Sequence, residues 1–147
     1  MVDNSSGGTT GVVSVLDSTL DSVDAAEEIV LAAAKEMGFD EDARFQIGLA
    51  VRESMVNAVV HGNCYSENKK VRLVFWKEPD RLTVTVADQG KGFDIDSLPD
   101  PLAEDHLMNQ SGRGILLIRS FMDEFETRRL KPSGTEFRLV KYLNQTR

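Results

Sequence analysis

Apolar residues recur at helical spacing in the first part of the chain and then switch to strict alternation. Val23, Ala26, Ile29, Val30, Ala33 and Met37 mark one helix, with capping residues offered by 17–24 and a stop at Gly38. A second helix is predicted from about Glu41 to Val60, opening near Asp40 and ending at His61-Gly62-Asn63. From Lys70 the period becomes two. Val71, Leu73 and Phe75, then Leu82, Val84 and Val86, describe two strands joined as a hairpin at Glu78-Pro-Asp-Arg81. A third helix starts near Gly112 and carries Ile115, Leu116, Ile118 and Met122. Two closing strands, Glu124 to Leu130 and Thr135 to Tyr142, flank the turn Lys131-Pro-Ser-Gly134, and Val12 to Leu16 forms a short strand near the start.

This order predicts an α+β fold, a two-layer α/β sandwich with helices on one face of a mixed, mostly antiparallel sheet. Residues 1–10, rich in Ser, Gly and Thr, read as a flexible tail, and 11–147 as a single domain. The stretch from Ile95 to Ser111 has two prolines, several acids and no sustained period. It is too long for a plain connection, so a lid is expected at about 93–111.

Composition narrows the classes of function. At 147 residues, 41% hydrophobic and 28% charged, the chain fits one soluble domain with a real core. The net charge of −7, with both signs mixed along the chain, argues against a general grip on nucleic acid or an anionic membrane. An anionic ligand must then be held locally. The single cysteine, Cys64, excludes an intramolecular disulfide and a thiolate zinc cluster. No secretory signal and no run near ~20 apolar residues is present, so a cytoplasmic location is expected.

Four features carry chemistry. Leu49, Glu53, Asn57 and His61 rise along one stripe of the second helix, beside Met55, Val56, Val59 and Val60. A carboxylate and an amide oxygen one turn apart suit Mg²⁺ and a water or hydroxyl, or simply form a boundary face. Asp88-Gln-Gly-Lys-Gly-Phe-Asp follows a strand, and its glycines permit a sharp turn and a close backbone approach. It is neither a P-loop nor a dinucleotide fingerprint. Ser111-Gly-Arg-Gly-Ile115 leads into a helix, where free N–H groups and Arg113 make an anion site or a hinge. Gly134-Thr135 opens a strand, with Thr135 serving either a ligand or the strand itself.

In this order the four features resemble the motifs of the Bergerat-fold ATPases, the superfamily of gyrase B, Hsp90, histidine kinases and MutL. Glu53-x-x-x-Asn57-Ala-x-x-His61-Gly62 resembles the N box, Asp88-x-Gly90-x-Gly92 the first glycine box, Gly112-x-Gly114-Ile the second, and Gly134-Thr135 the closing pair. Within it, Glu53-Ser-Met-Val-Asn-Ala-Val-Val-His-Gly-Asn63, the short lid and Gly-Arg-Gly-Ile-Leu-Leu-Ile-Arg-Ser-Phe-Met-Asp-Glu124 look like the serine-kinase anti-sigma factors. The likeness runs from the first helix to Tyr142.

The resemblance implies an ATP- and Mg²⁺-dependent serine/threonine kinase that phosphorylates an anti-sigma-factor antagonist and binds a sigma factor, as a homodimer. It implies Glu53 as general base and Asn57 as the Mg²⁺ holder at the ATP site. Asp88 is then the reader of the adenine amino group, with Thr135 beside it. Gly90 and Gly92 let the first loop approach the nucleotide, and Gly112, Arg113 and Gly114 contact phosphates. The alternative is an ATP-binding regulatory module that sequesters a partner without phosphorylating it; Glu53 favours the kinase, since a binding module needs no base there. His61 is expected to cap or pack and His106 to lie on the lid surface. Cys64 and Trp76 read as core or edge residues, and Asp94, Asp96, Asp100, Glu104 and Asp105 as a solvated lid face.

Overall fold

The computed structural model describes residues 2–3, 10–90 and 110–143. Its strands are β1 (Val2–Asp3), β2 (Thr10–Asp17), β3 (Lys70–Glu78), β4 (Arg81–Ala87), β5 (Glu124–Arg129) and β6 (Thr135–Tyr142). Its α-helices are α1 (Leu20–Met37), α2 (Glu41–Val56) and α3 (Gln110–Phe121), and a π-helical segment, Asn57–Gly62, continues α2.

Local chemistry explains the helix ends. The Thr19 hydroxyl accepts from the Ser22 amide at 3.3 Å to start α1, and the Asp40 carboxylate accepts from the Ala43 amide at 2.8 Å to start α2. Gly38 closes α1 in the left-handed region, φ 97°, returning its N–H to Ala34 and Lys35 carbonyls. The sheet order is β1-β2-β3-β4-β6-β5, and every described pairing is antiparallel. Cross-strand partners Phe75↔Val84, Leu73↔Val86, Val84↔Leu139 and Val86↔Phe137 share one face. That alternating face meets the buried sides of the helices: Ala26, Val30 and Ala33 of α1, Ile47, Val51 and Met55 of α2, and Ile115 and Ile118 of α3. The expected two-layer sandwich is therefore the architecture observed, with a sheet antiparallel throughout its described part.

Three boundaries differ from the expectation. The second helix is α-helical only to Val56 and then widens into the π-helical segment, where the Asn63 amide reaches the Ala58 carbonyl five residues back. The third helix begins at Gln110, taking residues 110–111 from the expected lid, of which 93–109 lie outside the described residues. β2 already starts at Thr10, and Val2–Asp3 pairs with Thr10 and Gly11, so part of the expected tail is strand.

One long-range tie braces the helical layer. Lys141 of β6 donates from Nζ to the Phe121 carbonyl at 2.6 Å and to Gln46 Oε1 at 2.7 Å. It places a cation on the negative end of α3. Lys141→Met is expected to lower the unfolding free energy by about 1–2 kcal/mol, the scale of a lost charged hydrogen bond. Urea denaturation with an unchanged slope would check it.

Candidate functional site

The site is assembled from α2, the π-helical segment, the end of β4, the start of β6 and the first turn of α3. Glu53 is half-buried on α2. A Cβ built on Gly114 of α3 would stand 2.6 Å from Glu53 Oε1 and 3.4 Å from Asn57 Nδ2. Glycine lets α3 lie this close to both groups without displacing the Glu53 carboxylate. Burial pushes the Glu53 carboxyl above the ordinary carboxylate range, while the charges of Arg52 and Arg113 pull it back. Arg52 is itself held across the helix pair by Asp24 at 2.8 Å and Glu27 at 2.6 Å. Arg113 is exposed on the first turns of α3.

Asn57 is 3% exposed. Its Nδ2 donates to the Glu53 carbonyl at 2.8 Å, and its Oδ1 is buried without a hydrogen-bond partner. A buried amide oxygen with nothing to accept from is costly by itself and suits a ligand that brings a cation or donor. The Thr135 hydroxyl is the other site oxygen in this condition. Both fit a nucleotide with its divalent cation.

Asp88 sits at the end of β4 and is 5% exposed. Its Oδ1 accepts from the Gly90 amide at 3.0 Å and the Thr135 amide at 3.1 Å, and its own N–H donates to the Thr135 carbonyl at 2.9 Å. Burial raises its carboxyl; the Gly90 and Thr135 amides and the Lys69 charge oppose that rise. Three glycines crowd it. A Cβ on Gly62 would lie 2.3 Å from Asp88 Oδ2, one on Gly90 1.8 Å from the Gly62 carbonyl oxygen, and one on Gly134 2.2 Å from the Asp88 carbonyl oxygen. Gly134 also holds φ 120°, a backbone state that side chains resist.

The structure thus brings Glu53, Asn57 and Gly114 together at one end, and Asp88, Gly90 and Thr135 at the other. Gly112 lies in the first turn of α3. Gly92, His106 and the five acids of the expected lid lie outside the described residues. His61 is exposed rather than packed, while the next two residues, Gly62 and Asn63, are buried. Cys64 is likewise exposed, correcting its assignment to core or edge; Trp76 is half-buried on β3. Sequence reading missed Asn63, which is 1% exposed and tied to the Asp88 loop. An asparagine after glycine looks like an ordinary turn former, so nothing local distinguishes it. No helix of the described residues is long and apolar enough to cross a membrane.

A half-buried carboxylate and a buried amide one helical turn apart, a buried strand-end Asp near glycines and the glycines of the first turns of α3 thus lie around one face of the fold. The histidine kinase-like ATPase domain family matches residues 16–141, and the chain belongs to that family. It is 34% identical over 120 residues to serine-protein kinase RsbW of Bacillus subtilis (strain 168), covering 78% of this chain and 74% of that protein. It is 30% identical over 122 residues to the anti-sigma F factor of Thermoanaerobacter sp. (strain X514), covering 80% and 83%. These names agree with the narrower likeness to anti-sigma kinases. In fold the chain is similar to the catalytic domain of histidine kinase ThkA, with TM-score 0.51, 15% identity, and 89% and 97% of the two chains covered.

Proposed function

We propose that this chain is an ATP- and Mg²⁺-dependent serine/threonine protein kinase of the partner-switching kind. It phosphorylates a small anti-sigma-factor antagonist and holds a sigma factor when that antagonist is absent. The observation that carries the reading is the grouping of Glu53 and Asn57 against Gly114 of α3, with the Asn57 Oδ1 buried and left without a partner. In this reading Glu53 takes the proton of the incoming hydroxyl, and its raised pKa brings it closer to working pH. Asn57 holds the Mg²⁺, which when bound neutralises phosphate charge on a chain of net charge −7.

Asp88 reads the adenine amino group. Its Oδ1 is taken by two amides, and Oδ2 is left to the amine. Thr135 supports the same end. Gly90 and Gly92 bring the first loop onto the nucleotide, and Gly112, Arg113 and Gly114 meet the phosphates at the start of α3. With little covalent work to do, the protein acts by positioning and charge. The names of the two relatives support this reading, and a cytoplasmic homodimer is carried over with it.

Incubation with Mg-ATP and candidate antagonists is expected to yield an antagonist bearing phosphoserine or phosphothreonine, detected by intact mass. Transfer that persists in Glu53→Ala would remove the base assignment. ATP-sensitive sigma-factor binding without any transfer would favour a sequestering module instead.

A further inference from the structure

Asn63 is buried, and all three of its side-chain hydrogen bonds reach other segments of the chain. Nδ2 donates to Ser18 Oγ at 2.9 Å, ahead of α1, and to the Lys70 carbonyl at 3.0 Å, at the start of β3. Oδ1 accepts from the Gln89 amide at 2.8 Å. Ser18 in turn donates to the Lys69 carbonyl at 2.5 Å, and the Gln89 side chain accepts from the Lys70 amide at 2.5 Å.

The Gln89 amide belongs to the same peptide plane as the Asp88 carbonyl. That carbonyl is pressed against Gly134 on the far side, where an added Cβ would come within 2.2 Å. Asn63 therefore holds one edge of the plane and Gly134 the other. A rigid plane held at both edges fixes the Asp88 Cα, from which the side chain reaches the Gly90 and Thr135 amides that orient its carboxylate. Of the carboxylate's own contacts, the Thr135 amide of β6 holds Oδ1 from one side at 3.1 Å, while the Gly90 amide moves with the same loop, so the peptide plane supplies the second restraint.

We propose that Asn63 is a positioning residue for base recognition, acting through the Asp88–Gln89 peptide and not by touching the nucleotide. This rests on the reading of Asp88 as the adenine-selecting group. Asn63 sets where that carboxylate points, so it governs the preference for a base carrying an exocyclic amine over one carrying a carbonyl. It does not govern the grip on the phosphates, which lies at the Glu53–Gly114 end.

The test is calorimetric titration with Mg-ATP, Mg-GTP and Mg-tripolyphosphate, which has no base. Asn63→Ala is expected to weaken ATP about tenfold and to shrink the ATP-over-GTP preference by a similar factor, the size of one misplaced buried hydrogen bond. Tripolyphosphate affinity should stay within about twofold. Asn63→Ser, too short to reach the Gln89 amide, should behave alike and decides the matter if the alanine variant does not fold. Folded Ala or Ser variants that keep the wild-type preference would overturn the proposal. So would an equal loss for tripolyphosphate. Wild-type protein that binds ATP no better than GTP would instead remove the adenine reading of Asp88.

Discussion

Glu53→Gln is expected to slow phosphoryl transfer by a factor of about 10² to 10⁴, the usual contribution of a positioned general base. The substitution keeps size and shape beside Gly114, so ATP binding should change little, and the loss should fall on kcat. Stability should move the other way. Burial raises the folded-state pKa of Glu53 above its unfolded value. Its contribution to stability is then full below the unfolded pKa and lost as pH rises through the folded one. At neutral pH the ionised carboxylate burdens the fold, and glutamine removes that burden. The variant's Tm should equal or exceed that of the wild type. The same shift sets the pH profile: wild-type transfer should decline as pH falls through a pKa above the ordinary carboxylate range, and Glu53→Gln should lack that limb. A depressed Tm would remove the buried-charge reading of Glu53, and an acid limb that survives in the variant's residual transfer would move the base elsewhere.

The second large effect is expected at Gly90. A Cβ there would lie 1.8 Å from the Gly62 carbonyl oxygen and 2.4 Å from its carbon, both backbone atoms that no rotamer change can clear. Gly90→Ala must push the π-helical segment away from the loop, or the loop away from Asp88, whose Oδ1 the Gly90 amide supports. The cost is about 1–3 kcal/mol of overpacking. Because both bodies that move frame Asp88, ATP affinity should fall about a hundredfold, roughly 2.7 kcal/mol in binding. Gly38→Ala is the control. It has φ 97° but open space around it, so it should lose about 1 kcal/mol of stability and no ATP affinity. Calorimetry on both variants separates strain at a helix end from damage to the pocket. Wild-type ATP affinity in Gly90→Ala would show that Gly62 and Gly90 do not shape the site.

Much of the architecture was legible locally. Gly38 ending α1, Asp40 opening α2, the hairpin between Glu78 and Arg81 and the span of β6 all follow from capping, turn chemistry and period. These signals act within a few residues and survive outside the fold. The candidate site was legible as a set of types in order: Glu53 and Asn57 one helical turn apart, Asp88 before glycines, Gly112 and Gly114 before a helix, Thr135 after Gly134. What the types do to one another was not.

The sequence by itself determined the elements, the inward face of each and the four motifs, because backbone preference and hydrophobic period are written residue by residue. Only the tertiary structure decided the rest. It placed β6 between β4 and β5. It widened α2 into a π-helical turn that carries Gly62 against Asp88. It joined Asp88 to Thr135 across 47 positions and Asn63 to Gln89 across 26. These are contacts between distant segments, chosen when helices and sheet bury a common core. A hydrogen bond made that way leaves no mark on the spacing of either partner's neighbours.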